Sequence, residues 1–302
     1  MTLRAPALRP GDRVAIVSPA GPVDTERLHQ GKELLRSWGL VSELGKHALA
    51  QSGYLAGRDA DRRADLDAAL RDPGIRAILT TRGGYGTQRI VDDLDWTLLK
   101  TDPKLLVGFS DITALHLAAW RDAGIASLYG PGISSDAARL GPTGVESLHA
   151  ALTSTAPVRV TAVAEEPGGT ALVAGVGTGP LLGGNLSLLA ASVGAGLPSL
   201  EGAVVLIEDV DEAPYRIDRM LTQLLRSGAL QGIAGVAVGQ LTNCAGNAPV
   251  DEVLTDRLGR LGVPLLAGLP IGHGPGQLTV PLGTSATLDA DSGTLTVESA
   301  VV

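Results

Sequence analysis

Three side chains of hydrolytic type stand where apolar runs end. Ser110 lies in Gly108-Phe109-Ser110-Asp111, between an apolar run ending at Val107 and a helical pattern that follows. A hydroxyl on a tight strand-to-helix turn sits at the edge of a parallel sheet, where α/β proteins bind ligands. The N–H of Asp111 would then face a developing oxyanion. Taken alone, Ser110 and Asp111 suit a plain helix cap better. Position 112 is Ile, so the second glycine of Gly-x-Ser-x-Gly is missing and an ordinary α/β-hydrolase elbow is absent.

Glu208 is the first acid after Leu206-Ile207 and opens the run Glu208-Asp209-Val210-Asp211-Glu212. A solvated charge run is the usual reading. A divalent-metal site is the second, and it needs further oxygen ligands converging from elsewhere. Pro214 opens a helix with Arg216, Asp218 and Arg219, whose cations are expected to neutralise these acids. His273 stands in Pro270-Ile271-Gly272-His273-Gly274-Pro275-Gly276, a rigid loop that can present an imidazole as general base or simply turn the chain. His29, His47 and His149 lie in polar surroundings, and His116, between Leu115 and Leu117, suits a packed core. Cys244, in an apolar glycine-rich region, reads as packing rather than as a nucleophile. The chain order Ser…Glu…His is that of α/β-hydrolase triads, here without their elbow.

Arg82-Gly83-Gly84-Tyr85-Gly86 follows another short strand. Its glycines let backbone approach a ligand, as an oxyanion hole requires, or simply form a turn. No Gly-Lys-Ser/Thr follows, and Gly-x-Gly-x-x-Gly is not matched. Arg82 is placed to bind a carboxylate.

The elements that must position these residues alternate. Strands are expected at 13–17, 77–80 and 105–109, and helices at 24–38, 59–70 and 111–123, with Asp59 as an N-cap. That alternation predicts an α/β fold, an N-terminal domain with a mostly parallel sheet flanked by helices. Beyond residue 150 the chain turns rich in Val, Thr, Gly and Pro. Strands are expected there at 203–207 and 233–238 and as two runs within 286–297, with helices at 185–193 and 215–227. A β-rich α+β C-terminal domain follows from this pattern. The division is 1–155 and 156–302, with a linker at about 150–175.

Composition removes other classes. The chain has 302 residues, with 24 Lys plus Arg against 32 Asp plus Glu, for a net charge of −8. With three Trp, four Tyr and one Phe, it has neither the basic patch nor the stacking surface that nucleic acid needs. A mean hydropathy of +0.21 and 19% charged residues argue for a globular protein. One cysteine excludes an internal disulfide framework and a Cys-rich zinc site. Residues 1–18 carry Arg4, Arg9, Asp12 and Arg13 without a signal-length apolar stretch, and segment 186–197 is too short to span a bilayer. A soluble, cytoplasmic protein is expected.

Several blocks together resemble the serine L,D-carboxypeptidases, the muramoyltetrapeptide carboxypeptidase family. They are Gly11 to Gly21, Arg82 to Gly86, Leu106-Val107-Gly108-Phe109-Ser110-Asp111-Ile112-Thr113, Gly183-Gly184-Asn185-Leu186, Ile207-Glu208-Asp209 with Pro214 to Arg219, and Gly272-His273-Gly274. They occur in family order from about Gly11 to Pro281. The resemblance implies a triad of Ser110, Glu208 and His273 at an interface between domains. It also implies an oxyanion hole from Asp111 and either Gly83 or Gly84, no cofactor, and a homodimer. Its substrate would be murein tetrapeptide, cut in the cytoplasm to release the terminal D-Ala during peptidoglycan recycling. Arg82 and Asn185 are the residue types suited to contact that substrate. The alternatives are a microcin C-type self-immunity peptidase, expected to have a longer chain and a different sequence after the acid, and a non-catalytic peptide- or sugar-binding protein.

Overall fold

Uninterrupted apolar runs become central strands, because both faces of a parallel sheet are covered by helices. The computed structural model of the chain describes residues 2–163, 171–246 and 249–302. Strands β1 (Arg13–Val17), β2 (Val41–Leu44), β3 (Ile75–Thr80), β4 (Leu105–Gly108) and β5 (Ser127–Tyr129) come first. Then follow β6 (Val158–Thr161), β7 (Ala171–Val173), β8 (Val176–Asn185), β9 (Val204–Val210), β10 (Gly235–Thr242), β11 (Leu265–Leu266), β12 (Val280–Leu282), β13 (Ser285–Asp289) and β14 (Thr294–Val297).

They form a six-stranded sheet, β12-β5-β4-β3-β1-β2, and an eight-stranded one, β6-β14-β13-β8-β9-β10-β11-β7. Every pairing in the first is parallel except β12 with β5. In the second, β8 to β11 run parallel and antiparallel strands extend both edges. The α/β class with a mostly parallel first sheet is the one the alternation predicts, and the second part is β-rich as expected, with a parallel centre at β8 to β11 that the pattern does not specify. β12 goes beyond it: a late strand returns to close the edge of the first sheet.

Alternation along each strand builds the core. On the first sheet Ala15, Val17, Ile78 and Leu106 face one side, against α2 (Asp59–Arg71) and α3 (Thr113–Ala123). Val14, Ile16, Leu79 and Val107 face the other, against α1 (Thr25–Ser37) and α4 (Ala137–Thr153). On the second sheet Val205, Ile207, Val236 and Val238 bury against α5 (Leu186–Ala191), α6 (Pro214–Arg226) and α7 (Val250–Leu258). Leu181, Val204, Leu206 and Ala237 form one core with Phe109, Tyr129, Val280 and Leu282, so the two sheets share packed side chains.

Some local expectations are corrected. Asp59 is the first residue of α2 rather than its cap, and its carboxylate takes Arg62 and Arg89. α4 is absent from the sequence reading because Gly141 (φ 63°, ψ 176°) and Pro142 break its period. α7 was missed too, although Val250, Leu254 and Leu258 repeat at i, i+4 on its buried face. Of the expected linker, residues 164–170 lie outside the described residues.

Candidate active site

β4 is buried throughout and ends at Gly108, where Thr80 Oγ1 donates to the Val107 carbonyl. The chain then passes through Phe109 to Ser110, which has φ 63°. Left-handed backbone is costly for a serine, and the surroundings must hold it. A short 3-10 turn, Ser110–Ile112, leads into α3. No side chain caps that start, so the helix-cap reading of Ser110 and Asp111 fails. Instead the Asp111 carboxylate accepts from Thr87 N at 2.9 Å, and its carbonyl accepts from Thr87 Oγ1 at 2.6 Å. Burial pushes the Asp111 carboxyl above its ordinary range, against the pull of the Thr87 bonds.

His116 holds the same turn from beneath. Its Nε2 faces the Gly108 carbonyl at 3.0 Å and its Nδ1 faces Ser127 Oγ at 2.8 Å. Burial lowers this imidazole to about 4, so it is the neutral packed histidine expected from its position. Gly83 meets the turn from β3. A Cβ there would stand 2.8 Å from Ser110 Cβ, so only glycine allows this approach without a shift. Gly83 and its neighbour Gly84 both line the cleft beside Ser110.

The acid and the base come from the other sheet. Glu208 is fully buried within β9. Its Oε2 accepts from His273 Nδ1 at 2.6 Å. Its Oε1 accepts from the Tyr129 hydroxyl at 2.7 Å and from Asn185 Nδ2 at 3.2 Å. Gly272 (φ 138°) brings the His273 loop against the acid, since a Cβ there would fall 2.6 Å from Glu208 Oε2. Gln240 Oε1 accepts from Gly274 N, and Arg139 donates to the carbonyls of His273 and Gly274. The His273 ring rests 4.8 Å from the Phe109 ring, centroid to centroid. With Nδ1 committed to Glu208, Nε2 is the nitrogen left for the serine.

Ser110 and His273 line one cleft of about 450 Å³ with Arg82, Gly83, Gly84, Phe109 and Arg139. Glu208 supports it from behind. The structure therefore brings together Ser110, Glu208, His273, Gly83, Gly84 and Arg82. Asn185 is corrected: it is buried, its amide donates to Glu208 and Asp209, and its Oδ1 accepts from Leu188 N. A side chain so occupied positions the acid, and both hydrogens of its amide are taken.

The acid run divides. Asp209 is buried and takes Asn185, Ser187 and its following N–H, and burial raises its carboxyl. Asp211 accepts from Asn243, and Glu212 pairs with Arg216. The expected neutralisation by the α6 arginines thus reaches Glu212 and leaves Glu208 to other partners. Among the described residues no group of three or more His, Cys, Asp or Glu could hold a metal ion, and no helix is long and apolar enough to cross a membrane. Cys244 is buried, and burial pushes its thiol to about 11, which suits packing. Sequence reasoning missed Tyr129, Arg139 and Gln240. Each is an ordinary residue type with no local signature, and each gains its role from a partner far along the chain.

Known proteins show the same arrangement of sequence. The LD-carboxypeptidase N-terminal domain family matches residues 14–130, and the LD-carboxypeptidase C-terminal domain family matches residues 178–288. A carboxypeptidase-named protein of Streptomyces coelicolor is 47% identical, over 98% of this chain and 96% of its own. The murein tetrapeptide carboxypeptidase of Pseudomonas aeruginosa is 33% identical, over 92% of this chain and 94% of its own. The crystal structure of an MccF-like protein from Bacillus anthracis superposes with a TM-score of 0.90 at 25% identity, over 99% of this chain and 100% of that one.

Proposed function

The chain belongs to the LD-carboxypeptidase family, peptidase family S66, and on that premise we propose that it removes the terminal D-Ala of murein tetrapeptide by hydrolysing the L,D amide bond. It is a serine-type carboxypeptidase. The observation that carries the proposed chemistry is the bond of His273 Nδ1 to Glu208 Oε2 at 2.6 Å, in a cleft shared with Ser110 on its left-handed turn.

In this reading Ser110 Oγ attacks the amide carbon while His273 Nε2 takes its proton. Glu208 keeps the proton of Nδ1 in place and stabilises the imidazolium. The oxyanion is met by the N–H of Asp111 and of a glycine in the Gly83-Gly84 pair. His273 returns its proton to the amine of D-Ala, which departs. Water, deprotonated by the same imidazole, then opens the acyl-enzyme and frees the shortened peptide.

A carboxypeptidase must also hold a free carboxylate. Arg27 is paired with Asp136 at 3.3 Å, and Arg139 is spent on loop carbonyls. Arg82, exposed in the cleft, is the cation we assign to this role. The proposal extends to a homodimer in the cytoplasm, and to a division of labour between residues 1–155, with the nucleophile, and 156–302, with the acid and base.

The test is mass spectrometry of murein tetrapeptide incubated with the wild type and with Ser110→Ala. Loss of one alanine by the wild type alone is the expected result. Equal loss with both proteins removes Ser110 from the chemistry. The likeness to the MccF-like structure favours a second reading, cleavage of a peptidyl-nucleotide antibiotic. An inert tetrapeptide with a cleaved microcin C-type substrate would select it. Phe109 and His273 are the ring side chains lining the cleft, a small surface for stacking a nucleobase.

A further inference from the structure

Tyr129 ends β5 in the first sheet, and its ring is fully buried. Its hydroxyl donates to Glu208 Oε1 at 2.7 Å and accepts from the backbone N–H of Ser110 at 3.2 Å. One phenol oxygen thus touches both the acid in the second sheet and the backbone of the nucleophile in the first. We propose that Tyr129 is a positioning residue, a strut that fixes the nucleophile's turn to the catalytic acid and moderates the acid's hold on His273.

The position does not ask for a tyrosine on packing grounds alone, because phenylalanine would fill the same apolar core with Phe109, Leu206 and Val280. A buried hydroxyl without partners is costly, and here its bonds to Glu208 and to the Ser110 N–H go to the reaction centre, with Thr113 of α3 as a further side-chain partner. Burial, then the Glu208 charge, hold the phenol well above its ordinary range, so it remains a donor. The N–H of Ser110 belongs to the residue at φ 63°, and the bond to Tyr129 helps to hold that backbone.

The groups facing Glu208 define what Tyr129 can change. Asn185 from the end of β8 shares Oε1, and Asp209 lies next in β9. His273 takes Oε2, and Arg139 of α4 reaches the same loop. Cys244 stands near enough to feel the acid's charge, and the neutral His116 of α3 packs 5.9 Å from the Tyr129 ring, centroid to centroid. Of these, Tyr129 and Asn185 donate to Oε1. Removing one donor concentrates charge on the carboxylate, which then holds an imidazolium more strongly. The base is protonated more readily, and the acid limb of the reaction moves to higher pH.

The test uses Tyr129→Phe and reads the rate at which a fluorophosphonate labels Ser110 as a function of pH. Labelling needs the serine and its base but no peptide, so the result stands apart from the substrate reading above on which the proposal otherwise rests. Expected are a fall of about tenfold in labelling rate at neutral pH and an acid limb displaced upward by about half a pH unit. Protein carrying 3-fluorotyrosine, a stronger donor, should move the limb downward, and this holds even where the phenylalanine variant fails to fold. An acid limb unmoved in either protein overturns the proposal. So does a rate loss in Tyr129→Phe that merely follows its loss of Tm. Wild type that is labelled normally but leaves murein tetrapeptide intact sinks the proposed substrate and leaves the strut to be judged by the limb.

Discussion

The nucleophile and the acid–base pair are held by different physics. Around Ser110 the groups held are main-chain ones: a left-handed serine, a glycine pressed against its Cβ, and carbonyls tied down by the side chains of His116 and Thr80. Around Glu208 side chains do it, with Tyr129, Asn185 and Asp209 forming a buried polar network, while Gln240 and the half-buried Arg139 tie down the His273 loop. A nucleophile needs its atom in one place, and rigid main chain supplies that. A buried carboxylate needs its lone pairs satisfied, and only side-chain donors can reach it from several elements at once.

The contrast can be broken from the acid side first. Glu208→Gln keeps the shape of the network but puts an amide opposite His273, favouring the wrong tautomer. We expect kcat to fall by about 10³- to 10⁴-fold with little change in KM, measured by release of D-Ala. A fall below tenfold would mean that geometry, not charge, is what this sheet contributes. On the nucleophile side, Gly83→Ala places a methyl 2.8 Å from Ser110 Cβ. A loss of about 10²-fold in kcat with Tm lowered by only a few degrees is expected, because the clash displaces the serine rather than the core. Normal activity in that variant would show the turn to be more yielding than its strain implies.

The smallest effect is one of stability. His116 is buried neutral at about 4, below its ordinary 6.5, so the unfolded chain binds the extra proton between those values. Stability is therefore complete above pH 6.5 and falls as pH drops towards 4, by ~3 kcal/mol in all. The raised Asp111 and Asp209 carboxyls act in the opposite sense, losing stability as pH rises. Comparing wild type with His116→Asn isolates the histidine: the variant should have a lower Tm at pH 7 and a flatter slope between pH 6.5 and 4. Parallel slopes would place His116 outside this balance.

Much of this molecule could be read locally. The apolar period gave five of the helices, α1, α2, α3, α5 and α6, and the strand Arg13–Val17 to the residue, because burial on both faces of a sheet leaves an unbroken apolar run. Ser110, Glu208 and His273 stood out because each follows such a run or sits among glycines, positions where a parallel sheet presents side chains to a cleft. Asp59 was misread as a cap and α4 was overlooked, since capping and kinking depend on partners and angles that residue type constrains weakly. Asn185 looked like a substrate contact for the same reason, until its amide proved to be occupied by Glu208 and Asp209.

The amino-acid sequence thus determined the alternating frame of the first sheet and which three side chains could do the chemistry, because period, turn glycines and residue type are properties of neighbours along the chain. Tertiary structure alone decided that β12 returns to the first sheet, that Tyr129 stands 79 positions from the acid it holds, and that Arg139 crosses 134 to reach the histidine's carbonyl. Those contacts join residues that share no local pattern. They arise only when two sheets bury a common core and their polar groups must find partners inside it.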